Sequence, residues 1–168
     1  MISMVRAVGI MGALAVAPMS ARADDCATVL SAVFAQAKVP YASTMTTSQP
    51  GQPVSRVEAV VIGTKMFVQV NGAWQSMPYS AQEMIDRSTE NAKKSKQTCR
   101  KVGVELVDGE ATTIYSDHEE TSRGIVDSRI WISDSRGLPL KIEAHFEGGM
   151  SFTSTVRYDN IQPPAGVK

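Results

Sequence analysis

Histidine and cysteine are scarce, two of each in 168 residues. That is too few for a zinc site of the usual cysteine–histidine kind. An excess of charge of one sign is missing as well. The 17 basic and 17 acidic side chains cancel, which leaves no electrostatic footprint for nucleic acid. No apolar run reaches the ~18–20 residues that a membrane-spanning helix needs. Serines are plentiful, but none has a Gly-x-Ser-x-Gly context, and no Ser/His/Asp order stands out. Gly148-Gly149 lies between two strand-like runs rather than before a helix, so it is no phosphate cradle. These absences predict a non-enzyme with no cofactor, no metal, no nucleic-acid partner and no membrane span.

What remains is a chain that is 43% hydrophobic and 20% charged, enough for one domain with a real core. Residues 1–23 read as a secretory signal. Arg6 supplies the positive start, Ala7–Ala17 the apolar stretch, Pro18 a stop, and Ala21-Arg22-Ala23 a small-x-small cleavage site. Cleavage near Ala23 would leave 145 residues with a net charge of −2, in the periplasm or outside the cell. Residues 24–164 then form the single domain, and residues 165–168 a tail. Cys26 and Cys99 are the only cysteines. In an oxidising compartment an isolated pair is most simply a disulfide. The rival reading, two reactive thiols, has no Cys-x-x-Cys spacing behind it.

Periodicity sets the expected elements. Cys26, Val29, Leu30, Val33, Phe34 and Ala37 recur at helical spacing, and Pro40 disfavours helix at the residue before it. A first helix should therefore run from Asp24 or Asp25 to about Lys38. Strand-like runs follow at 41–47, 54–62, 65–70 and 73–77, with Asn71-Gly72 as a two-residue hairpin turn. Ser80-Ala81-Gln82-Glu83 reads as a capping box. It would open a second helix over about 81–96 with a thin apolar face and Lys93, Lys94 and Lys96 crowding its last turn. Cys99 would tie the end of that helix back to the first. Further strands are expected at 100–107, 110–119, 126–133, 138–146 and 150–158, with Asp108-Gly109 as another hairpin turn. The alternation of Leu138, Leu140, Ile142, Ala144 and Phe146 with polar residues means one dry face and one wet face. The prediction is an α+β fold: about eight antiparallel strands in one curved sheet, covered by two helices around an apolar interior.

Four stretches carry a resemblance. Gly109–Tyr115, Ile130-Trp131-Ile132-Ser133, Gly137-Leu138-Pro139-Leu140-Lys141 and the closing Tyr158-Asp159-Asn160-Ile161-Gln162-Pro163 resemble exported proteins of the LolA/LolB-like superfamily. That group includes periplasmic carriers of outer-membrane lipoproteins. The resemblance implies an unclosed half-barrel, lidded by helices, that holds acyl chains. It implies an apolar ligand such as a lipid, or an envelope lipoprotein, as partner. Met66, Trp74, Met77, Tyr79 and Met84 cluster around the Asn-Gly hairpin and second helix, and with Tyr115, Trp131 and Phe152 they are the candidate lining of the concave face. The same residues also suit ordinary core packing, since apolar pattern does not distinguish a filled sheet from a hollow one. The alternative role is a non-enzymatic module that docks another cell-envelope protein. Asp117-His118-Glu119-Glu120 is the densest ionisable cluster and reads as the solvated end of a strand.

Overall fold

The computed structural model describes residues 23–92 and 94–167. The signal reading therefore falls almost wholly outside the described residues. The elements run α1 (Ala23–Gln36), β1 (Tyr41–Ser48), β2 (Ser55–Ile62), β3 (Lys65–Val70), β4 (Ala73–Ser76), α2 (Ala81–Ala92), β5 (Lys96–Val107), β6 (Glu110–Thr121), β7 (Gly124–Ser133), β8 (Pro139–Phe146) and β9 (Ser151–Arg157). The strands form one antiparallel sheet in the order β4-β3-β2-β1-β9-β8-β7-β6-β5. The first and last strands pair in the middle, Met45 opposite Ser154. The two outer strands, β4 and β5, do not pair with each other, so the sheet stays an unclosed half-barrel.

Turn chemistry accounts for the hairpins. Asn71 and Gly72 have φ of 51° and 79°, Asp108 and Gly109 φ of 51° and 84°, the two successive positive values that a tight hairpin needs and that Asn, Asp and Gly tolerate. Among the described residues nine strands form rather than about eight. The second helix ends at Ala92, not near 96, and Lys96 begins β5. Tertiary pairing overrides the local helical pattern there: Lys96 lies opposite Glu120, with an ion pair at 3.6 Å. Cys99 is accordingly a strand residue, and its bond to Cys26 fastens α1 to the edge strand β5.

Each face of the sheet carries its own core. Val29 and Ala32 of α1 pack on Ile130 and Ile132, flanked by Tyr115 and Ile142. On the other face Ala42, Val60 and Phe67 pack with Ile62, Trp74 and Ile161, so the closing segment of the chain covers apolar surface. Trp131, 3% exposed, also belongs to that second face. Its Nε1 donates to Glu105 (2.7 Å), and the Lys141 ammonium sits 4.3 Å above its ring.

α2 is held differently. It lies in the only stretch of chain that joins β4 to β5, the two opposite edges of the sheet. Ala81 at its start is buried, whereas Gln82, Glu83, Met84, Asp86 and Arg87 are exposed. The capping box is formed: the Ser80 N–H donates to Glu83 Oε2 (2.7 Å), and the Glu83 N–H donates to Ser80 Oγ (3.2 Å). These bonds hold the Glu83 carboxyl below the usual carboxylate range. A lowered carboxyl pKa stabilises the folded form above the unfolded value, and the contribution is lost as pH falls through the folded value. With so little tertiary packing, the cap governs the helix. Ser80→Ala should cost α2 about 1 kcal/mol, so amide exchange over 81–86 should rise about fivefold while the core amides stay unchanged. Acidification below pH ~4 should produce the same local loosening in the wild-type chain.

Candidate functional site

α1 covers only part of its face of the sheet. It packs along β5 and reaches β6, β7 and β8 at the Ile130–Ile132 level. Toward the other end of the same strands the side chains on that face are Val126, Phe146 and Phe152, which share the face of Ile130, Ile142 and Ser154 through the two-residue period of a strand. A cleft of about 710 Å³ opens there, with an apolar floor of Val126, Phe146 and Met150 and a rim that includes Glu119, Arg123 and Glu147. The rings of Phe146 and Phe152 lie 5.9 Å apart, so Phe152 backs the floor.

The rim is built by two turns that support each other. Thr121 Oγ1 donates to the Gly124 carbonyl (2.9 Å) and accepts from the Arg123 N–H (3.0 Å). The Ile125 N–H donates to Glu147 Oε2 (3.1 Å), which ties the β8–β9 turn to the β6–β7 turn. Gly124 is required at this join. Its φ is +119°, and a Cβ there would meet Glu147 Oε2 at 2.6 Å. Gly124→Ala should therefore break the Glu147 contact and loosen the rim, visible as faster amide exchange at Ile125 and Glu147 with the distant Val29–Ile130 core unaffected.

The residues singled out from sequence do not converge on one surface. Tyr115, Phe152, Met66 and Met77 share the α1 side of the sheet. Trp74 and Trp131 lie on the opposite side, because Trp131 adjoins Ile130 and adjacent strand residues point to opposite faces. Trp74 forms one wall of a second, charged cleft of about 360 Å³, beside Arg56, Glu58 and Arg157. Tyr79 and Met84 meet with Arg87 at a shallow site of about 300 Å³ on α2. The floor residues Val126 and Phe146 and the rim residue Arg123 were not singled out. The signal was present in Phe146 and Met150, which end one dry alternation and start the next across Gly148-Gly149.

The acidic stretch on β6 is only partly solvated. Asp117 is half-buried, accepts from Gln97 Nε2 (3.0 Å) and lies 3.8 Å from the Cys99 sulfur; burial raises its pKa. His118 points the other way and pairs with Asp127 across the strands, Nδ1 to Oδ1 at 2.7 Å, which raises its pKa. His145 is exposed and lies in register with Asp127 from the other side.

The geometry defines a curved, unclosed antiparallel sheet with an apolar cleft beside a covering helix. LprF from Mycobacterium bovis has this fold: it aligns over 89% of this chain and 100% of its own, with 12% identity and a TM-score of 0.50. Pseudomonas aeruginosa MucB, solved with MucA, aligns over 86% of this chain and 62% of its own, at 16% identity and a TM-score of 0.48. The LolA superfamily protein NE2245 from Nitrosomonas europaea aligns over 76% of this chain and 90% of its own, at 8% identity and a TM-score of 0.26. No protein-family model and no curated protein sequence matches the chain. The similarity is one of fold, and it agrees with the resemblance that the strand and turn motifs carry. Among the described residues no helix is long and apolar enough to cross a membrane.

Proposed function

We propose that this is an exported, non-enzymatic binding or carrier protein for an apolar ligand, a lipid or an acyl chain, either free or as the anchor of an envelope lipoprotein. The observation that carries the reading is the cleft on the α1 side: an apolar floor of Val126, Phe146 and Met150 with a charged rim. Its volume of about 710 Å³ lies in the range of small-molecule sites. An acyl chain gains about 0.8 kcal/mol per buried CH₂, so ten carbons gain ~8 kcal/mol before ordering costs. Arg123 beside Glu119 and Glu147 gives the rim charges of both signs, which suits a polar or zwitterionic headgroup. The signal reading of residues 1–23 and the oxidising compartment that a Cys26–Cys99 bond needs both support export, to the periplasm or beyond. In this reading α2 is the moving part, because Gln82, Glu83, Met84, Asp86 and Arg87 are exposed and the helix lies between β4 and β5, the two edges of the sheet.

A fluorescent fatty acid, displaced by unlabelled palmitate, tests this. Phe146→Asp should weaken uptake at least tenfold, because a carboxylate on the floor is desolvated by the chain. Phe146 is half-buried, so the melting temperature should fall by only a few degrees. Met84→Asp should impair uptake more than folding if α2 closes over the ligand. Wild-type protein that takes up no fatty acid, or a Phe146→Asp protein that binds as well as wild type, would overturn the reading.

A further inference from the structure

The outer edge of β5 is explained neither by the core nor by the ligand cleft. Val102, Val104 and Leu106 are 52%, 71% and 67% exposed, alternate apolar positions on an unpaired edge strand. Such an edge is a template for another strand. In an antiparallel ladder alternate residues turn their N–H and C=O toward the neighbour. The Glu105 carbonyl accepts from Thr112 Oγ1 on β6 (2.7 Å), so Val104 and Leu106 turn theirs outward. Nearer the start of the strand, the Lys101 N–H is already taken by Asp25 Oδ2 (3.1 Å), and the ladder slips between Lys101 and Gly103. The open edge is therefore the short run 102–107.

We propose that this edge pairs antiparallel with the same edge of a second copy, about a two-fold axis through Val104, joining the two nine-stranded sheets. In that register Val104 faces Val104 of the second copy, and Val102 faces Leu106, apolar against apolar at each of the three apolar positions. Gly103 lies opposite Glu105. The charges also match. Arg100 and Lys101, which outnumber Asp25 at one end of the run, come alongside Asp108 of the second copy at the other. Arg100 and Asp108 have no ion pair of their own among the described residues.

Competing registers fail. A slip centred on Glu105 sets two carboxylates directly opposite, which is destabilising. One centred on Gly103 pushes Leu106 onto the end that Asp25 already caps. A one-residue slip sets outward-turned backbone groups against inward-turned ones. The second copy is favoured over a foreign strand because the run is its own complement, apolar in the middle and of opposite charge at its two ends. Head-to-tail growth is disfavoured, since the other edge, β4, offers only four residues. The contact is thus isologous and closes as a pair.

Sedimentation equilibrium on the chain as recovered from its producing cells reads the outcome. The mass should rise with concentration to twice that of the monomer. Val104→Lys puts two ammonium groups on the axis and should return the monomer with unchanged circular dichroism and melting temperature. Should that variant fail to fold, Leu106→Lys tests the same surface. Val104→Cys should give a disulfide-linked dimer on oxidation, because hydrogen-bonded partners in a ladder lie about 5.5 Å apart at Cα, within disulfide range. Asp108→Asn, which keeps a turn-compatible residue, and Arg100→Gln should each raise the dissociation constant about three- to tenfold. A monomer at every concentration, a dimer that survives Val104→Lys and Leu106→Lys, or a dimer in which Val104→Cys does not cross-link would each overturn the proposal.

Discussion

Replacing Cys26 and Cys99 together by serine should destabilise the protein by about 4 kcal/mol in the chain-entropy model, as expected for a closed loop with a sequence separation of 73. At roughly 3 °C per kcal/mol for a domain of this size, the melting temperature should fall by ~10 °C. The effect is global rather than local because of where the bond sits. It fastens α1, whose Val29 and Ala32 cover Ile130 and Ile132, to an edge strand that pairs on one side only. Cys99 is 2% exposed, so serine there also buries a hydroxyl beside Asp117. Burial raises the pKa of Asp117, but a serine hydroxyl at position 99 donates best to the ionised carboxylate, so the double variant should recover no stability relative to wild type on acidification. Thermal melts of both proteins across pH measure this. A shift under 3 °C would mean that α1 is held by packing alone.

How much of this was legible beforehand depended on whether the signal was local. The Asn71-Gly72 and Asp108-Gly109 turns, the Ser80–Glu83 cap and the Cys26–Cys99 bond all follow from residues whose chemistry admits few alternatives, and all are present. The start of β5 was misread because residues 93–99 carry a cationic helix ending, and only the distant strand 116–120 turns 96–100 into ladder. The candidate site was less legible for a similar reason. Tyr115 and Trp131 look equivalent in sequence, but the register that sets Tyr115 opposite Ile130 sends Trp131 to the other face. The cleft over Val126 and Phe146 exists because α1 stops short of it. That is a matter of helix placement, and no window of the sequence contains it.

Trp131→Ala should be the most destructive single substitution, at about 3–5 kcal/mol. The indole is 3% exposed, so its removal leaves a large cavity. It also leaves Glu105 without the Nε1–H donor and removes the ring beneath Lys141. Trp131→Phe should recover most of the packing and lose only the hydrogen bond, a cost of about 1 kcal/mol given that Glu105 is exposed. The pair of variants also separates stability from binding. Trp131 lies on the face opposite α1, whereas the proposed ligand floor lies on the α1 side. Fatty-acid affinity per folded molecule should therefore be the same in Trp131→Phe as in wild type, while Phe146→Asp loses affinity and keeps most of its stability. Denaturant titration beside ligand titration reads both quantities on the same samples. If Trp131→Phe lost affinity as well, the ligand would have to enter between the two faces, and the half-barrel would be open from the side that Trp131 now fills.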